Sequence, residues 1–159
     1  MKVIIKNLPQ LEVAFIRRVG SYFEPQDHWE KLLQWANENN LHPPEQSFIG
    51  ISLDNPEFVA SQKCRHDACV TVPENFEKEP HQDMQFKCVD GGIYALYQFY
   101  DEPHKLSEVY RYMYAVWLPN SEYSADYDRD NLEFCMNNVA EDLEGKLKVD
   151  LFVPIKKNK

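Results

Sequence analysis

The side chains in this sequence best placed for chemistry are two carboxylates set among aromatic residues. Glu133 lies in the run Leu132-Glu133-Phe134-Cys135-Met136, and Asp150 in the run Leu147-Lys148-Val149-Asp150-Leu151-Phe152-Val153. In extended backbone, successive side chains alternate between faces. Alternation puts Leu132, Phe134 and Met136 on one face of the first run, and Glu133, Cys135 and Asn137 on the other. In the second run Leu147, Val149, Leu151 and Val153 form an apolar side, with Lys148, Asp150 and Phe152 opposite. The matching run in the first half sets Ile49, Ile51 and Leu53 against Gly50, Ser52 and Asp54. This pattern predicts helices over the apolar face. The second face has two readings, a solvated surface or a concave ligand pocket. In a pocket, carboxylates beside rings suit a flat, lipophilic, cationic ligand. Ring faces attract cations by about 0.5–2 kcal/mol, and a desolvated carboxylate attracts them more strongly than it does in water.

Other groupings carry less. Cys64-x-His66-x-x-Cys69 has the residue types for zinc, but its spacing is not that of a finger or ribbon and no second ligand pair follows. Neither a metal nor a cofactor is expected. There is no Gly-x-Ser-x-Gly elbow, no P-loop and no dinucleotide fingerprint. Trp29 and Trp35, at helical spacing, read as core.

Two helices and seven strands position these residues. Trp29, Leu32, Leu33 and Ala36 recur at helical spacing, with Asp27 and Glu30 as a capping box and Asn39, Asn40 and Pro43-Pro44 as the stop. Val109, Tyr112, Met113, Val116 and Trp117 repeat the pattern between a Ser107 cap and Leu118-Pro119. Strand character falls at residues 3–6, 11–19, 48–53, 68–72, 93–100, 132–136 and 147–153, bounded by turn residues. Residues 73–90 read as a polar link. The order strand, helix, strand, strand therefore occurs twice. Trp35 and Trp117 are 82 residues apart, Gly20 and Asp101 are 81 apart, and Asp54-Asn55 and Asn137-Asn138 are 83 apart. Three agreeing spacings predict an internal duplication, about 7–73 and 92–155 with a linker at 74–91, inside a single domain spanning 1–159. The fold class expected is α+β: duplicated strand–helix–strand–strand units, a mainly antiparallel sheet of about eight strands, two helices on one face and a pocket on the concave face.

The totals fit that picture. The chain has 159 residues, 43% hydrophobic and 13% aromatic, enough to bury roughly two-thirds of its unfolded surface. Its net charge of −9 argues against direct contact with nucleic acid or an anionic membrane. The sequence lacks an 18-residue apolar run and a signal-peptide core. Four cysteines in such a chain read as free thiols in a reducing compartment, and the location expected is cytoplasmic. A monomer or weak dimer is expected.

The sequence also resembles a known family. Ile49-Gly50-Ile51 through Asp54-Asn55-Pro56-Glu57, then Lys63-Cys64-Arg65-His66-Asp67-Ala68-Cys69-Val70-Thr71-Val72-Pro73, resemble the GyrI-like small-molecule-binding domains, as do Arg17 to Tyr22 after the first strand. The second half adds Trp117-Leu118-Pro119, Leu132-Glu133-Phe134 with Asn137, and Leu151-Phe152-Val153-Pro154. Such domains form the effector-binding part of AraC-type and MerR-type regulators. The resemblance implies that Glu133 is the pocket carboxylate, with Asp150 and Phe152 as an acidic and an aromatic pocket position, Trp117 near the mouth and Tyr22 after the first strand as further contacts. The sequence departs from the family at Asp101-Glu102-Pro103, where a Gly-Pro-Tyr is usual, and at Cys135, where an aromatic is usual.

Three functions follow from the resemblance. The first is a stand-alone module that senses or sequesters lipophilic cations, possessing no helix-turn-helix because the first and last strands take up the chain, and serving regulation only in trans. The second is a hydrolase of alkylating compounds with Glu133 as general base, its pKa raised by burial. The third is a modulator of a protein partner such as DNA gyrase.

Overall fold

The computed structural model describes residues 2–159. In chain order the elements are β1 (Ile4–Leu8), β2 (Leu11–Val19), α1 (His28–Glu38), β3 (Phe48–Ser52), β4 (Arg65–Thr71) and β5 (Gln85–Val89). There follow β6 (Gly92–Asp101), α2 (Leu106–Tyr112), β7 (Tyr123–Ala125), β8 (Leu132–Cys135) and β9 (Leu147–Lys157). The class is α+β, and the strand pairs within each unit below are all antiparallel. No helix among the described residues is long and apolar enough to cross a membrane.

The chain divides into two compact units, Pro9–Gly91, and the residues up to Leu8 together with Gly92–Lys159. In the first, the strands run β3-β4-β2-β5, and α1 buries Leu32 and Ala36 against Ala14, Ala68 and Val70. In the second they run β1-β6-β9-β8 with β7 added to β9, and Val109 of α2 and Met113 just after it are buried against Ala95, Leu151 and Val153. The stretch read as a link therefore contains a strand. β5 lies at the edge of β2 as β1 lies at the edge of β6, so the N-terminal strand completes the unit made by the second half of the chain. Phe86 of β5 anchors it by ring contacts to Trp35 and Phe76 at 6.3 and 6.1 Å.

Strand register makes the two units comparable residue by residue. Arg17 lies opposite Asp67, and Gln98 opposite Asp150. Gly50 lies opposite Ala68, and Glu133 opposite Leu151. Val109 of α2 and Met113 just after it, both buried, fall 81 positions after His28 and Leu32, which α1 buries. Gly50 is thus the counterpart of Glu133, and Asp67 the counterpart of Asp150.

The same register overturns the expected facing of β3 and β8. Directly opposed residues in antiparallel strands share a face, so Glu133 and Cys135 stand with Leu151 and Val149, on the side where α2 packs. Leu132 and Phe134 point the other way, with Asp150 and Phe152. Likewise α1 packs on the Phe48 and Gly50 side of β3, and not on Ile49 and Ile51. The physical reason is that β9 is buried on both faces from Val149 to Ile155, apart from a half-buried Asp150. Alternation distinguishes a core face only where the other face meets water. Here both faces of the central strands carry apolar residues.

The helix ends differ from expectation too. Asp27 sits in helical conformation and its side chain makes no cap, and Ser107 lies inside α2, its Oγ donating to the His104 carbonyl at 3.3 Å. A 3-10 turn, Pro103–Lys105, leads into α2 instead.

Gly50 shows how tightly α1 is seated. A Cβ there would meet His66 Nε2 at 3.3 Å and Trp29 Cζ2 at 3.5 Å, both ring atoms in packed positions. Gly50→Val should cost about 1–3 kcal/mol by overpacking, read as a drop in the denaturant midpoint. An unchanged midpoint would show that α1 can lift without penalty.

Candidate functional site

The site assembles in the second unit, under α2. β8 fixes the Glu133 side chain toward the helix, and Tyr110, one residue after the buried Val109, donates its hydroxyl to Glu133 Oε2. One turn on, the Tyr114 hydroxyl donates to Asn131 Oδ1 at 3.0 Å, just before β8 begins. The covering element is irregular. Seven α-helical residues pass into a wide π turn, Met113–Trp117, and then a 3-10 turn, Leu118–Asn120. π segments are rare and commonly mark functional positions.

Burial pushes the Glu133 carboxyl above its ordinary range, against the hydrogen bond from Tyr110, which favours the charged form. Burial, and then the charge of Glu133, push the Tyr110 phenol well up, so it stays a donor. Cys135, two residues along the same face, is pushed up to about 12 by burial and by Glu133; it is a neutral thiol, with Sγ 3.9 Å from the Glu133 carbonyl. Among the described residues no Lys, Arg or His pairs with Glu133. The arrangement is a desolvated carboxylate held by one neutral phenol, able to accept a further donor, to attract a cation, or to take a proton more readily than an ordinary carboxylate.

The remaining expected contacts divide among other places. Trp117 closes the π turn and stacks on Tyr123, with centroids 6.2 Å apart and planes 10° from parallel. Asp150 and Phe152 lie on the opposite sheet face from Glu133, Phe152 against Phe134 at 5.0 Å and Tyr94 at 6.0 Å. Tyr22 belongs to the other unit, where its hydroxyl donates to the Asp54 and Arg65 carbonyls at 2.9 and 2.7 Å and ties two loops together. The structure thus brings Glu133 and Cys135 together on one sheet face and puts Asp150 and Phe152 on the other, within the same unit. Tyr110 escaped the sequence reading because helix periodicity singles out Val109 and Met113, and nothing local marks their neighbour as the partner of a strand 23 positions away. In β4, His66 and Cys69 take opposite faces, paired with Arg18 and Phe15, so the Cys64-x-His66-x-x-Cys69 string does not converge. Cys64 Sγ instead lies 3.8 and 3.7 Å from the Val59 and Ala60 carbonyls.

Known proteins carry the same fold. A DNA gyrase inhibitor of Escherichia fergusonii is 28% identical over 95% of this chain and 96% of its own. The crystal structure of the EcmrR C-terminal domain superposes with a TM-score of 0.73 at 13% identity, over 99% of this chain and 98% of that one. A structure of SAV2435 bound to tetraphenylphosphonium gives a TM-score of 0.65 at 14% identity, over 98% and 94%. Across residues 1–156 the chain matches the model of the GyrI-like small molecule binding domain, and it belongs to that family.

Proposed function

We propose that the protein binds small lipophilic cations at Glu133, beneath α2, as a sensing or sequestering module. The observation that carries this reading is a carboxylate desolvated against the apolar side of α2, with a tyrosine hydroxyl as its partner and, among the described residues, no cationic side chain paired with it. Burying such a group unpaired is costly, and a cationic ligand removes that cost. Tyr110, Tyr114 and Trp117, from the element that covers the site, supply rings for the ligand's apolar body. The solved neighbour named as bound to tetraphenylphosphonium supports the choice of that cation as a probe. The charge of −9 leaves nucleic acid to a separate partner.

Glu133→Gln keeps the shape of the side chain and removes its charge and basicity. Affinity for tetraphenylphosphonium, measured by calorimetry, should fall by about 1–3 kcal/mol, the scale of a contact to a charged group, while stability holds or rises. A raised carboxyl pKa beside a neutral phenol also suits a general base. If the chain hydrolyses alkylating compounds, the same variant should lower turnover by roughly 10²–10⁴-fold with binding little changed. Unaltered binding and turnover in a variant that no longer folds would make Glu133 a structural residue.

A further inference from the structure

The edge strands of the two units differ at a matched position. Phe86 of β5 lies opposite Ala14, and Ile5 of β1 lies opposite Ala95. Ala14 and Ala95 are 81 positions apart, and each is buried in its own unit's core beneath the helix. Ile5 is therefore the counterpart of Phe86. Phe86 is half-buried under the rings of Trp35 and Phe76, and His81 packs on both of those rings. Ile5 is 40% exposed, although Val3, two residues earlier on the same strand, packs against the core. Ile4, facing the other side of the sheet, is 36% exposed.

The backbone of β1 is bare as well. It pairs with β6 from Ile4 to Leu8, and among the described residues no second strand lies along its other side. An unpaired edge that shows apolar side chains is a template for another strand. Charge says which strand. Residues 2–8 hold two lysines and no carboxylate, in a chain whose net charge is −9. β1 is thus a cationic edge on an anionic protein, so each of two copies is drawn by the other's edge toward its own.

We propose that β1 pairs antiparallel with β1 of a second copy, about a two-fold axis at Ile5, to form a weak dimer. Symmetry and charge select that register. A two-fold axis across an antiparallel pair carries each sheet face onto itself, and opposed residues share a face, so a residue must sit on the axis. Three such axes keep both isoleucines against residues 2–8 of the second copy: those at Ile4, Ile5 and Lys6. The axis at Ile4 sets Lys2 against Lys6, and the axis at Lys6 sets Lys6 against itself; like charges directly opposed are unfavourable. The axis at Ile5 sets Ile5 on Ile5, Ile4 on the aliphatic stem of Lys6 and Val3 on Asn7, with no lysine facing another. It also continues β8-β9-β6-β1 of one copy into the same strands of the other, with α2 of both on one side. A strand pair this short buries little area, which places the dissociation constant between about 1 μM and about 1 mM.

Sedimentation equilibrium of the whole chain, from about 10 μM to about 1 mM, tests the pairing. The weight-average mass of wild type should climb from 18.8 kDa toward twice that value. Ile5→Lys sets two ammonium groups against each other on the axis and should hold the mass at the monomer value throughout, with an unchanged circular dichroism spectrum. A cysteine pair tests the register without relying on that variant. In a Cys88→Ser background, which removes the exposed thiol, Ile5→Cys should cross-link into a dimer on oxidation with diamide. Ile4→Cys should not, because its two copies would lie about 8 Å apart across the axis, beyond the reach of a disulfide. A wild-type mass that stays at 18.8 kDa up to the highest concentration would overturn the proposal and leave the edge to a different protein. So would a folded Ile5→Lys variant that still dimerises, or cross-linking through position 4 that equals or exceeds that through position 5.

Discussion

Replacing Arg17 and Lys87 together by methionine should destabilise the protein by about 3–5 kcal/mol, the cost of stripping the partners from a buried charge. Asp67 is fully buried, and its three hydrogen bonds come from these two side chains. Methionine keeps apolar stems of similar length and removes the charged ends, which lie over the Phe15 ring at 5.6 and 4.7 Å, so the loss is that of the charges and their ring contact rather than of packed volume. Adding Asp67→Leu should recover most of the loss, because an apolar triad of similar volume no longer carries a desolvation penalty. The pH dependence gives a second readout. In wild type the folded pKa of Asp67 is depressed, so its stabilising contribution is present above the unfolded value near 3.9 and is lost as pH falls through the lower folded value. In the double variant burial acts unopposed and the folded pKa rises above the unfolded one, so its stability deficit relative to wild type should shrink as pH falls toward 4. Denaturant unfolding between pH 7 and pH 3 measures both effects. A double variant with a wild-type midpoint and pH slope would show the buried triad to be energetically neutral.

That triad marks where the sequence stops being informative. The repeat could be read from three spacings, and long strands such as β2, bounded at Leu11 and Val19, from runs of apolar and β-branched residues. These signals are local, because each long strand carries its own run of apolar residues. β7 is three residues long and β5 begins among polar residues, so neither gives a run long enough to register. Glu133 could be found as a candidate because a lone carboxylate in an apolar strand is costly unless used. Its face could not, because Leu132, Phe134 and the alternate residues of β9 are all apolar and both sides of the sheet are buried. Arg17 and Asp67 are 50 positions apart, and their pairing depends on the register of β2 on β4, which no local pattern carries.

A histidine pair in the first unit should make stability fall between pH 6.5 and pH 4, above the window of Asp67. His28 Nε2 and His66 Nδ1 lie 2.8 Å apart beneath α1, their rings nearly perpendicular, and one shares its proton with the other. His28 Nδ1 has no hydrogen-bond partner among the described residues. Burial first, and then the neighbouring His28 and Arg18, lower the His66 pKa to about 4, with Asp67 acting the other way. Burial and Arg18 also lower that of His28, against Asp27 and Asp67. Between pH 4 and 6.5 the unfolded chain takes up a proton that folded His66 refuses, so stability rises with pH across that interval and is fully present above it. The gap between about 4 and the ordinary 6.5 corresponds to about 3 kcal/mol. The other unit supplies the control, since Val109 and Val149 stand where His28 and His66 stand here. His28→Val with His66→Val should flatten the pH 4–6.5 part of the stability curve by about that amount, leaving the steeper acid limb below pH 4 in place. Denaturant midpoints at pH 7, 5.5 and 4.2 decide the matter, and parallel curves for wild type and double variant would show that the pair remains neutral or charged alike in both folded and unfolded states.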